Sequence, residues 1–188
     1  MGTLKTTNIQ SISGSGTVTL GTSGETFTVP SGVTVNMSSA TQTGVGGSNT
    51  PYVFARSSSG ADQSISASTW TKVTLGTEYV DSDNAFASNT FTVPSGEAGK
   101  YLITALIRWE ALNGTSDYGY LSIANSDRST TYQAAAQSGN TGYGFFPITV
   151  TALVNLSVSD TISLWSYATE AAVLTNENCG ITICKMID

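Results

Sequence analysis

Residues 100 to 109 read KYLITALIRW, and the side chains along them decide the fold. A period of two places Tyr101, Ile103, Ala105, Ile107 and Trp109 on one face, and Leu102, Thr104, Leu106 and Arg108 on the other. Aromatic and β-branched residues at this density favour a strand, because they fit a pleated, half-buried surface. An antiparallel strand with one wet face should alternate apolar with polar residues. Here both faces want cover.

Two further segments repeat the pattern. TVTALVNL sets Val150, Ala152, Val154 and Leu156 against Thr149, Thr151, Leu153 and Asn155, and ITIC sets Ile181 and Ile183 against Thr182 and Cys184. A solitary sandwich would leave the second set in water. A symmetric oligomer would bury it, and that is the expectation.

Working outward, strand-length apolar segments run from Pro51 to the C-terminus: YVFAR, TKVTL, NTFTV, KYLITALIRW, YGYLSIA, GFFPITVTALVNL, TISLWSYA and GITICKMI. Turn signals separate them, among them Asp81-Ser82-Asp83-Asn84, Pro94-Ser95-Gly96, Asn125-Ser126-Asp127 and Ser138-Gly139-Asn140. About eight strands at this spacing predict an all-β fold, an antiparallel jelly-roll sandwich. Its expected core is Phe91, Tyr101, Ile103, Ile107, Trp109, Val150, Val154, Ile162, Leu164, Ile181 and Ile183.

Residues 1–47 differ. They are rich in Gly, Ser and Thr, and their short alternating runs GTVTLG, ETFTVPSG and VTVNM carry too few apolar residues for a core of their own. An extended, β-rich N-terminal arm and linker is expected there, with the jelly-roll domain at 48–188. The heptapeptide TFTVPSG occurs at 26–32 and again at 90–96, which marks a strand ending in a Pro-Ser-Gly turn at both places.

Composition narrows the functions. The 188 residues carry 7 basic and 13 acidic side chains, a net charge of −6, and the basic residues are scattered singly. No cationic stripe exists to neutralise phosphates, so neither nucleic acid nor an anionic membrane is an expected partner. The opening MGTLKTTNIQ has no apolar core of a leader, and no run approaches the roughly 18 apolar residues of a membrane span. Cys179 and Cys184, five residues apart on one strand, would lie on opposite faces and beyond disulfide reach. They read as two buried thiols, in keeping with assembly in a reducing cytoplasm.

Catalysis is not expected. The chain has no histidine, which excludes serine triads, Cys–His dyads and His-ligated metals, and its dispersed acids show no pairing across a cleft. No cofactor is expected. The weak metal candidate is Asp81, Asp83 and Asn84, whose oxygens alternate as calcium ligands do; an Asx-rich turn explains the same residues. Tyr118, Tyr120, Tyr132, Tyr143, Phe145 and Phe146 form a candidate aromatic patch for a sugar or a protein.

FTVPSGEAGKYLI resembles the strand-turn-strand signature of C1q/TNF-like domains, an F-x-x-P turn leading to G-x-Y, with Phe91, Pro94, Gly99 and Tyr101 in place. LSVSDTISLW is similar to that family's L-x-x-G-D-x-V-x-L turn through Leu156, Asp160, Ile162 and Leu164, with Ser159 where glycine is usual. CGITICKMI resembles the terminal strand, keeping Gly180 but placing Cys179 where an aromatic is common. The likeness spans about residues 51–188. It implies a homotrimer in which Leu102, Thr104, Leu106, Leu153, Thr182 and Cys184 face the threefold axis.

LKTTNIQSISGSGTVTLGTSGETFTVPSGVTV is in turn similar to arms preceding such heads in structural proteins of marine bacteriophages. The combined resemblance implies a non-enzymatic homotrimer on a virion surface, a capsid decoration or fibre protein, assembled in the host cytoplasm. Residues 1–47 would then anchor it to capsid or tail proteins. The alternative is a receptor-binding fibre tip or C1q-like adhesin, with outer loops around 113–117 and 125–143 gripping a host glycan or protein.

Overall fold

The computed structural model describes residues 26, 28, 31–33, 50–58, 60, 62–110, 112, 117–139, 144–176 and 178–186. The chain divides into two units, Met1–Thr43 and Gly44–Asp188. The arm expected at 1–47 falls outside the described residues, apart from Thr26, Thr28 and residues 31–33.

Thirteen strands are described, in the order β1 (Tyr52–Arg56), β2 (Gln63–Ile65), β3 (Thr71–Lys72), β4 (Thr77–Asp81), β5 (Phe86–Ala87), β6 (Thr90–Thr92), β7 (Gly99–Glu110), β8 (Tyr118–Ala124), β9 (Thr131–Ser138), β10 (Phe145–Leu156), β11 (Thr161–Ala168), β12 (Ala172–Leu174) and β13 (Gly180–Lys185). Every pairing is antiparallel. In the first, seven-stranded sheet, β7 is flanked along its length by β10 on one side and by β13 and then β12 on the other. From there β13 leads to β1 and β4, and β12 to β2. The second sheet runs β5-β6-β11-β8-β9, with β3 also on β11.

The core lies between the sheets. Tyr101, Ile103, Ala105, Ile107 and Trp109 of β7 are fully buried against Phe91, Leu121, Ile123, Ile162 and Leu164. Of the expected core, Val154 alone is half-buried, at the end of edge strand β10 where cover thins; Val150, Ile181 and Ile183 are inside. Pro147 sits on that same edge strand, the position in a sheet where a missing N–H is tolerated. Trp109 is the largest side chain inside. Its indole N–H donates to Ser166 Oγ at 2.8 Å, and its six-membered ring occupies the space beside Gly119, where a Cβ would approach to 2.9 Å.

Several strands were not expected. The segment 125–143, read as a loop, contains the eight-residue strand β9; its Gln- and Ala-rich sequence has no β-branched residue after Thr131, and pairing with β8 supplies the order that propensity does not. TKVTL is a strand only at Thr71–Lys72, with Val73 and Leu75 buried as irregular chain.

The glycines that close the two TFTVPSG copies share a positive φ, Gly32 at 84° and Gly96 at 85°. In the second copy Glu97 N–H closes the turn on Pro94 O at 3.1 Å, a type II geometry that needs a positive φ at its third residue. The turn between β10 and β11 makes the same demand on a non-glycine residue, since Ser159 stands at φ 71°. That is the position where the resembled motif has glycine. Ser159→Gly should therefore raise stability by up to about 1 kcal/mol, the strain relieved being partly offset by a looser unfolded chain. Denaturant midpoints of the two proteins check it, and a lower midpoint for the glycine form would refute it.

Candidate assembly face

The outward side of the first sheet is built from β10, β7, β13, β1 and β4, and register aligns its residues in transverse rows. Leu153, Leu102, Cys184 and Tyr52 form one row across four strands. Thr151, Thr104, Thr182 and Phe54 form the next, and Thr149, Leu106, Gly180 and Arg56 the third. All six residues assigned to the threefold axis thus lie on one face within two strand repeats of each other.

The rows differ in chemistry. Leu102, Leu106 and Leu153 are 39%, 40% and 65% exposed, far from the usual state of leucine on a sheet. Between the leucine rows, Thr104 and Thr151 share a hydrogen bond at 3.3 Å. Beyond Leu106 the face ends at Arg108, whose guanidinium lies 4.3 Å from the Phe145 ring centre and whose Nε donates to Thr175 Oγ1 at 2.8 Å. Cys184 is half-buried on this face and Cys179 is buried on the inside, so both are free thiols. Burial pushes the Cys179 thiol above its ordinary pKa.

The face is wider than the sequence suggested. Twelve large hydrophobic side chains are exposed among the described residues, and Tyr52, Phe54, Val80, Leu102, Leu106, Phe145 and Leu153 all stand here. Tyr79 adds to them by stacking on Phe54, ring centres 5.2 Å apart. The signal was available in YVFAR, where Tyr52 and Phe54 oppose Val53 and Ala55 in the same two-faced alternation as β7. A rigid apolar surface of this extent on one face is the mark of an association site.

The other expectations scatter. Asp81 ends β4 and spends both carboxylate oxygens on the turn, accepting the N–H groups of Ala85 and Phe86, each at 2.9 Å. Asp83 accepts the Ser82 hydroxyl at 2.6 Å, and Asn84 takes φ 50°. The geometry is that of an Asx turn, and among the described residues no group of three or more acidic or cysteine side chains could hold a metal ion.

The aromatic patch proposed from sequence is broken up. Phe146 is buried, Tyr132 is half-buried against the core, Phe145 belongs to the first sheet, and Tyr143 lies outside the described residues. Only Tyr118 and Tyr120 share a surface, the outer face of the second sheet. There they meet Tyr167 and Trp70, which sequence reading missed because the four rings come from three separate segments.

No protein-family model and no curated protein matches this sequence. Solved structures do. Murine APRIL at pH 5.0 superposes with a TM-score of 0.53 at 14% identity, over 72% of this chain and 99% of that one. The globular domain of zebrafish complement 1qA gives 0.49 at 10% identity over 71% and 94%, and Eiger TNF from S. frugiperda 0.48 at 16% over 73% and 92%. The fold is the all-β, antiparallel jelly-roll sandwich of the C1q/TNF type.

Proposed function

We propose that this chain is a non-enzymatic, homotrimeric structural protein of a bacteriophage virion, a capsid decoration or short fibre protein displayed at the particle surface. The single observation that carries self-association is the apolar face. Its leucines and aromatics stand on paired strands that cannot rearrange to hide them, and covering the exposed part of each leucine stabilises an assembly by roughly 0.6–2 kcal/mol. Threefold order and the virion role draw on the resemblance of the head and of the arm sequence.

In this reading, residues 1–47 hold capsid or tail proteins and the jelly roll projects outward. Deleting residues 1–47 is expected to leave the head's oligomeric mass unchanged while abolishing its incorporation into particles. Particles that still carry the truncated chain would overturn the anchoring role.

A second reading, a receptor-binding fibre tip or C1q-like adhesin for a host glycan or protein, is favoured by one feature only. Aromatic rings collect on the second sheet, on the side opposite the apolar face.

A further inference from the structure

We propose that the outer face of the second sheet is a binding platform for acidic oligosaccharides, in which Trp70, Tyr118, Tyr120 and Tyr167 stack on sugar rings and Arg128 takes a sugar carboxylate. The proposal rests on the recognition reading above and gives it a ligand class and a site.

Strand register places the platform. Tyr120 of β8 lies directly opposite Tyr167 of β11, and Tyr118 is two residues along the same face. The inward neighbours Gly119, Leu121, Leu164, Ser166 and Ala168 are buried, so the rings stand on a packed support. Tyr118 and Tyr167 stack with centres 6.5 Å apart at 26°, and Trp70 lies 5.3 Å from Tyr167 and 6.0 Å from Tyr120. The outward residues around them on β8 and β9 are Ser122, Ala134, Ala136 and Ser138, all small. Small side chains thus border the ring cluster on the β9 side, and Trp165 borders it on β11.

The polar ends of these rings are unemployed. Three aromatics elsewhere use theirs, Trp109 donating to Ser166, Tyr101 to Glu97 O and Trp165 to Asn125 O, whereas the Tyr52, Tyr79 and Tyr132 hydroxyls do not. The Trp70 indole N–H and the hydroxyls of Tyr118, Tyr120 and Tyr167 make no hydrogen bond among the described residues. Two buried atoms on this side also lack a partner, Ser122 Oγ and Arg128 Nε.

Charge narrows the ligand. Arg128 lies 3.4 Å from the Trp70 ring centre and Lys72 5.5 Å from that of Trp165, so two of the chain's seven basic residues gather here despite a net charge of −6. Neither makes an ion pair among the described residues. With Nε buried, the Nη groups of this guanidinium are what remain to meet a carboxylate. Stacking rings, hydroxyls and donors with an unneutralised cation suit a chain of sugars carrying carboxylates better than a neutral one.

The test is a panel of immobilised uronic-acid oligosaccharides of varied linkage, with neutral hexose oligosaccharides beside it, probed with the full chain. Binding to uronate members is expected, weakened about tenfold by Arg128→Gln and by Tyr118→Ala, and severalfold by Tyr167→Phe, which keeps the ring and removes one hydroxyl. An empty uronate panel, equal binding of neutral sugars, or affinities untouched by these variants would overturn the proposal. A chain that leaves the panel empty yet adheres to intact bacterial cells loses this site and keeps the recognition reading.

Discussion

On the proposed trimer, Leu106→Glu is expected to leave a 19.5 kDa monomer or insoluble material in place of an assembly of about three chains. Leu106 stands in the middle of the apolar face, opposite Thr149 on β10 and Gly180 on β13. In water, a carboxylate there costs little. Pressed against a second copy it would be an uncompensated buried charge, worth several kcal/mol against association, besides about 1 kcal/mol lost with the exposed part of the leucine.

Sedimentation velocity reads the mass, and a thiol reagent reads the face. Cys184 should be protected in the wild-type protein and react in the variant, while buried Cys179, its thiol pushed up by desolvation, should stay slow in both. An unchanged mass, or a wild-type Cys184 that reacts at once, would count against a covered face.

Trp109→Ala should destabilise the fold by about 3–5 kcal/mol, a large part of the 5–15 kcal/mol that typically holds a domain together. Trp109 is fully buried, and its removal takes away the filling between β7 and β8 and strands the Ser166 hydroxyl without its donor. Gly119 cannot close the gap, since it lies under the same ring with no side chain to advance. Chemical denaturation checks the magnitude. A loss below about 1 kcal/mol would mean the sheets close over the space, contrary to the tight packing seen here.

The facing of β7 was legible in its sequence because a twelve-residue strand with apolar residues on both sides writes its period twice, once in Tyr101 to Trp109 and once in Leu102 to Leu106. The jelly roll followed from the strand and turn spacing and from ordered motifs around Pro94, Asp160 and Gly180. Strand β9 was not legible. Thr131–Ser138 has neither alternation nor β-branched apolar residues, and tertiary pairing with β8 decides its conformation.

The aromatic cluster escaped for a different reason. Trp70, Tyr120 and Tyr167 are far apart along the chain, and only the order β3-β11-β8 brings them together. Asp81 misled in the opposite direction, since alternating oxygens serve a turn's amide groups as readily as a cation.

The threonine row between the leucine rows limits how two copies of this surface can meet. Thr104 and Thr151 already bond each other, so sliding a neighbour along the strands by one repeat would chiefly set the Thr182 hydroxyl on hydrocarbon and leave leucine methyls against oxygen. The face is therefore indexed, like a keyed joint that seats at one depth. Grease alone would allow many poses; a polar notch at mid-height permits few.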